Sequence, residues 1–212
     1  MSDPDLTLVR EQFQDLLGQF QRLYLEAGQE IAEKSPELIQ GGSPAEFVEM
    51  MDELHKALLV KIFARVADAD RRAGPEKDQL AEILYEHLWH EHLSGTELRS
   101  AMRLVTHQAA GLMLYSLIRP FDQIAPLRNR IGNLITLVMR FANVVAKADG
   151  TVTLNEAANL RSIQQELESH LVPIPIDEPG QHEEARRRGP QAIEQSRTES
   201  SSLRSQVSRG QR

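Results

Sequence analysis

An all-α protein is predicted by three features of this sequence. Apolar residues recur at steps of three and four, helix-start boxes stand ahead of those runs, and no Val/Ile-rich alternating segment suggests a strand. Hydrophobic residues make up 41% of the chain and aromatic residues only 5%, which suits helix packing better than a sheet. At 212 residues the chain can bury one domain and carry extensions. The expected architecture is a bundle of six or seven helices. It divides into a long amphipathic helix over 1–34, a helical body over 35–170 and a polar tail over 171–212.

The first element spans 5–33, where Leu6, Val9, Phe13, Leu16, Leu17, Phe20, Leu23, Tyr24, Ala27 and Ile31 draw one stripe. Packing on or beside the rest of the chain accounts for the stripe; a coiled-coil arm that joins two copies is the alternative. Gly41-Gly42-Ser43-Pro44 with Glu46 is a start box, so a helix begins near residue 44. It buries Phe47, Met50 or Met51, Leu54, Leu58, Ile62, Phe63 and Val66 and ends near Asp70, before Gly74-Pro75. A helix over 76–92 follows with Leu80, Ile83, Leu84 and Leu88 inward. Ser94-Gly95-Thr96-Glu97 is a further capping box, and its helix carries Leu98, Met102, Val105, Ala109, Leu112, Met113 and Leu117 and stops before Pro120. A helix over 122–148 buries Ile124, Leu127, Ile131, Leu134, Ile135, Val138, Phe141, Ala142 and Val145. Its partner over 154–170 supplies Leu154, Ala157, Leu160, Ile163 and Leu167.

After Leu171 the prolines of Val172-Pro173-Ile174-Pro175-Ile176 favour extended chain, and the rest of the tail has little to bury, so disorder is expected there. The tail holds seven Arg against six Asp and Glu, which leaves the acidic excess behind the net charge of -7 in the body. An acidic body repels phosphate backbones, so no nucleic-acid binding is expected through the folded domain. With no Cys, disulfides, thiol nucleophiles and thiolate zinc sites are excluded. Neither a signal peptide nor an apolar run of about 18 residues appears, and the expected location is cytoplasmic.

One elbow stands out. An apolar helix runs through Phe141-Ala142-Asn143-Val144-Val145-Ala146-Lys147 into Ala148-Asp149-Gly150, and Thr153 with Glu156 forms the box that opens the next helix. A weaker copy lies 78 residues earlier: Phe63 aligns with Phe141, Asp68 and Asp70 stand in the turn, and Glu76, Lys77 and Asp78 open the following helix. Ala148-Asp149-Gly150 followed by Glu156 resembles the signature of the tellurite-resistance TerB-like helical family, of the kind found ahead of some bacterial ATPase domains. The resemblance implies two acidic hairpins, a bacterial stress or tellurite-resistance-like pathway, a protein partner such as an ATPase, and one divalent cation, calcium or magnesium, at the elbow. Asp149 and Glu156 are its expected ligands, with Asp68, Asp70, Glu76 and Asp78 as donors from the first copy. No phosphate-binding loop follows, so the ATPase activity does not carry over.

From the residues alone, Asp149 to Glu156 matches the second half of an EF-hand loop, whereas Val145 and Lys147 stand where the first ligands belong. Glu156 is equally accounted for as a helix cap and Gly150 as a helix stop. Counted from Asp70, the first copy departs from the pattern: Arg71 stands where the Gly should be and Lys77, seven residues after Asp70, where the Glu should be, and only a shift of one residue recovers Glu76 or Asp78. A second cluster, Glu86-His87-Leu88-Trp89-His90-Glu91-His92, pairs His87 with Glu91 and Glu86 with His90 on helix faces, but Ser94 stands where a zinc-protease motif needs His. It reads as an exposed helix end, with Trp89 a packing residue. No nucleophile elbow, phosphate loop or dinucleotide fingerprint is present, so no enzyme and no organic cofactor are expected. The functional expectation is a non-catalytic adaptor domain. Its alternatives are a coiled-coil oligomerisation scaffold built on the N-terminal helix and a metal-dependent hydrolase built on the acidic elbows.

Overall fold

The computed structural model describes residues 3–67 and 74–170. Asp68, Asp70 and Arg71, as well as the tail over 171–212, lie outside the described residues. Among the described residues there are seven α-helices and no strand. They are α1 (Asp3–Lys34), α2 (Pro44–Ala67), α3 (Pro75–Trp89), α4 (Gly95–Ala110), α5 (Leu114–Gln123), α6 (Ile131–Ala146) and α7 (Leu154–His170). Short 3₁₀ turns at Pro36–Leu38 and Ala125–Arg130 precede α2 and α6. None of these helices is long and apolar enough to cross a membrane.

The α1 stripe is buried within its own chain: Phe13, Leu16, Leu17, Phe20, Leu23, Tyr24, Ala27 and Ile31 all lose their exposure to α2, α3 and α6. Phe13 is the centre of this packing. Its ring stacks on Phe141 of α6 at 5.1 Å and meets Phe63 of α2 edge-on at 6.4 Å. Phe20 adds an edge contact to Phe141 at 5.8 Å. Each such ring pair contributes about 0.5–1.5 kcal/mol beyond area burial. Phe63 and Phe141 are the residues aligned by the internal repeat, and they flank one ring of α1. The two hairpins therefore meet across the N-terminal helix.

Three element boundaries differ from the sequence reading. The helix expected from Ser94 to before Pro120 is two helices, broken at Gly111-Leu112-Met113. Leu112 and Met113 are accordingly exposed rather than inward. Pro120 sits inside α5, because Phe121 is drawn into the core against Tyr24 at 4.9 Å and holds the chain helical past the proline. The helix expected from 122 begins as a 3₁₀ turn at Ala125-Pro126, and regular helix starts only at Ile131.

Individual core positions differ as well. Met51, not Met50, is the buried methionine of α2, and Leu154 is 88% exposed at the start of α7. Ser94 makes no side-chain cap bond, because Gly95, at φ +58°, turns left-handed between it and the helix. Ser43 and Glu46 do form the expected box, with the Ser43 amide donating to Glu46 at 2.5 Å and the Glu46 amide donating to Ser43 Oγ at 3.3 Å. These amide and hydroxyl contacts hold the Glu46 carboxyl below its usual range.

Candidate functional site

The elbow between α6 and α7 closes as its residues dictate. Gly150, at φ +85°, supplies the left-handed turn that ends α6, and the Thr151 amide donates to Asp149 Oδ1 at 3.1 Å. Thr153 and Glu156 form a reciprocal capping box. The Thr153 amide donates to Glu156 Oε2 at 2.8 Å, and the Glu156 amide donates to Thr153 Oγ1 at 3.3 Å. Glu156 is fully buried, so its second oxygen needs a partner inside the protein.

That partner is Lys77. Its ammonium, on a side chain only 4% exposed, donates to Glu156 Oε1 at 2.6 Å and lies 3.7 Å from Asp149 Oδ2. The first turn of α3 and the elbow of α6 and α7 are thus brought together, as a shared metal site would require. What the first hairpin delivers to the junction is an ammonium. It stands between the two carboxylates. Asp149, the more exposed of the two, keeps one oxygen for the Thr151 turn.

Two further expected ligands, Asp78 and Glu76, lie apart from this junction. Asp78 faces Arg99 of α4 at 3.4 Å, and Glu76 lies in the first turn of α3 beside Gly74. Among the described residues, no three His, Asp or Glu side chains gather as metal ligands. Lys77 was visible in the sequence as the residue that stands, seven after Asp70, where the pattern has its Glu. Its role was not, because only the packing of the two hairpins places an i and i+79 pair in contact.

A second polar junction lies at Arg65 of α2. Its guanidinium donates to Glu166 of α7 at 2.5 Å and to Ser162 Oγ at 3.0 Å, while the Arg65 carbonyl accepts from Asn159 at 2.7 Å. The other Glu166 oxygen accepts the Leu114 amide at 3.1 Å and so caps the start of α5. Both junctions are fully partnered and hold helices together.

The outer surface offers a different feature. Between the start of α2, the Pro36–Leu38 turn and the end of α5 runs a groove of about 550 Å³. Leu38, Phe47, Met50, Leu54, Pro120 and Ile124 form its apolar wall, and Glu46, Arg119 and Gln123 stand at its polar edge. Leu38 and Met50 are exposed there. The sequence signal for this groove was the unsettled choice between Met50 and Met51: both are apolar, and the helix can turn only one of them inward. Compared with family models, curated proteins and solved structures, the chain shows no match.

Proposed function

We propose that this chain is a non-catalytic adaptor domain whose groove between α2 and α5 receives an apolar helical segment of a partner protein. The observation that carries this reading is the exposure of Met50 and Leu38 on a continuous apolar wall. Exposed apolar walls with polar edges suit helix-in-groove recognition, and an unbranched methionine adapts to the side chains it meets. The carboxylates of the elbow and of Glu166 are engaged in internal bonds, which supports a structural rather than a catalytic role for them.

A photo-cross-linking residue placed at Met50, with another at Gln165 on the exposed side of α7 as control, tests the groove in cells. One protein labelled from position 50 alone, and lost on adding Leu38→Glu, is the expected result. Labelling at both positions or at neither removes the reading. Labelling of a second copy of the chain would replace the adaptor by an oligomeric scaffold.

The metal-responsive form of this reading, and the TerB-like relationship behind it, rest on Ala148, Asp149, Gly150 and Glu156. A divalent ion at that elbow would have to displace the Lys77 ammonium from Glu156. Calorimetric titration with calcium and magnesium decides the matter. Saturable heat lost in Asp149→Ala and Glu156→Ala supports the ion, whereas no heat leaves Lys77 as the cation of the elbow.

A further inference from the structure

Two imidazoles meet where α2 faces α3, His55 in the core and His87 half-buried, each with one buried nitrogen left over. His55, 1% exposed, turns Nδ1 toward the Asp52 carbonyl oxygen at 3.1 Å and the Asp52 carboxylate at 3.3 Å. His55 Nε2 is buried without a hydrogen-bond partner, and so is His87 Nε2. The ring centres are 6.4 Å apart and the ring planes nearly perpendicular, at 86°. Tyr24 of α1 packs beside His55 at 6.2 Å, with its hydroxyl committed to the Leu117 carbonyl at 3.0 Å.

The charged and titratable groups that face the pair are few. Asp52 on α2 attracts a proton to His55, but its carboxylate is shared with Lys56 at 2.6 Å. Burial and His90 on α3 oppose a charge on His87 while a backbone hydrogen bond to Leu17 of α1 favours it, the two rings oppose each other, and Tyr24 on α1 is kept neutral by burial. A neutral imidazole tolerates a buried acceptor nitrogen, whereas the protonated ring becomes a double donor with a buried N–H and nothing to receive it.

We propose that the His55–His87 pair is an acid-sensitive latch, in which protonation of the facing rings drives the C-terminal end of α3 away from α1 and α2. Ten residues earlier, Lys77 fixes the start of α3 to Glu156, so α3 opens at the His87 end and pivots at Lys77. The direction of the proton linkage agrees. Burial, the largest cause, lowers the proton affinity of both rings below the ordinary value of 6.5. The closed state is therefore favoured above 6.5 and loses that advantage as the pH falls from 6.5 toward the lowered values.

The single tryptophan, Trp89, reports on this end of α3, two residues beyond His87 and 4.6 Å from the Tyr85 ring. Its fluorescence and the far-UV circular dichroism would be followed together from about pH 8 to about pH 5. The expected result is a fluorescence transition with a midpoint below 6.5 while helicity is kept. The transition moves to lower pH in His55→Gln and in His87→Gln and stays in place in His92→Gln. A Trp89 response that appears only when helicity collapses, or an unchanged midpoint in both core variants, overturns the latch. Should either core variant fold poorly, NMR titration of the two rings in the native protein decides, and titration of both at or above 6.5 overturns it.

Discussion

Lys77 and Glu156 form a buried ion pair whose value depends on both members being present. Removing one partner of such a pair costs about 3–5 kcal/mol, because the other charge is left desolvated, whereas exchanging both for apolar residues is close to neutral. Lys77→Met and Glu156→Leu should therefore each lower stability by several kcal/mol in denaturant unfolding, and the double variant by clearly less than their sum. Additive losses would mean that the two side chains act separately. The sequence showed both residues: a carboxylate in its regular place in a capping box, and a lysine seven residues after Asp70 where the pattern calls for a carboxylate. It did not show that the lysine answers the carboxylate. Spacing within a hairpin is a local property, whereas the Lys77–Glu156 contact depends on how two hairpins dock against α1. His55 was missed for a related reason. It lies four residues after Met51 on the buried stripe of α2, so its position was readable from periodicity, but its partner is on another helix.

At the scale of the element, helix ends decide more than helix interiors. Capping boxes at Ser43 and Thr153 follow the sequence because their bonds close within four residues. The break between α4 and α5 does not, because neither Gly111 nor Pro120 forces it; the pull of Phe121 and Leu114 into the core does. The end of α3 shows the converse, a local preference overruled. His90 closes α3 in the left-handed region at φ +57°, its amide donating to the Glu86 carbonyl, a position that favours glycine. His90→Gly relieves that conformation and should stabilise the protein by about 0.5–1 kcal/mol, seen as a raised urea midpoint with an unchanged slope. A lowered midpoint would show that the His90 side chain contributes more than its backbone costs.

Among the described residues α1 packs against α2, α3 and α6, and the core aromatic cluster is where that packing can be tested. Phe141 stacks on Phe13, meets Phe20 edge-on, and belongs to the helix that leads into the elbow. Because α1 contacts α2, α3 and α6, damage at Phe141 is transmitted to both hairpins and is not confined to α6. Phe141→Ala should cost about 3–5 kcal/mol, a large part of the roughly 5–15 kcal/mol that holds a domain of this size. With a shift of about 2–4 °C for each kcal/mol, the midpoint should fall by about 10 °C. Leu154→Ala, at an 88% exposed site that the apolar pattern placed inward, should change stability by less than about 0.5 kcal/mol. The decisive measurement is made at neutral pH, where Trp89 fluorescence reports α3 and circular dichroism reports every helix. Coincident thermal transitions in the native chain and in Phe141→Ala indicate one cooperative unit threaded by α1. Trp89 melting ahead of the other helices at neutral pH would make α3 an independently opening element, held by Lys77 and the histidine pair rather than by the core.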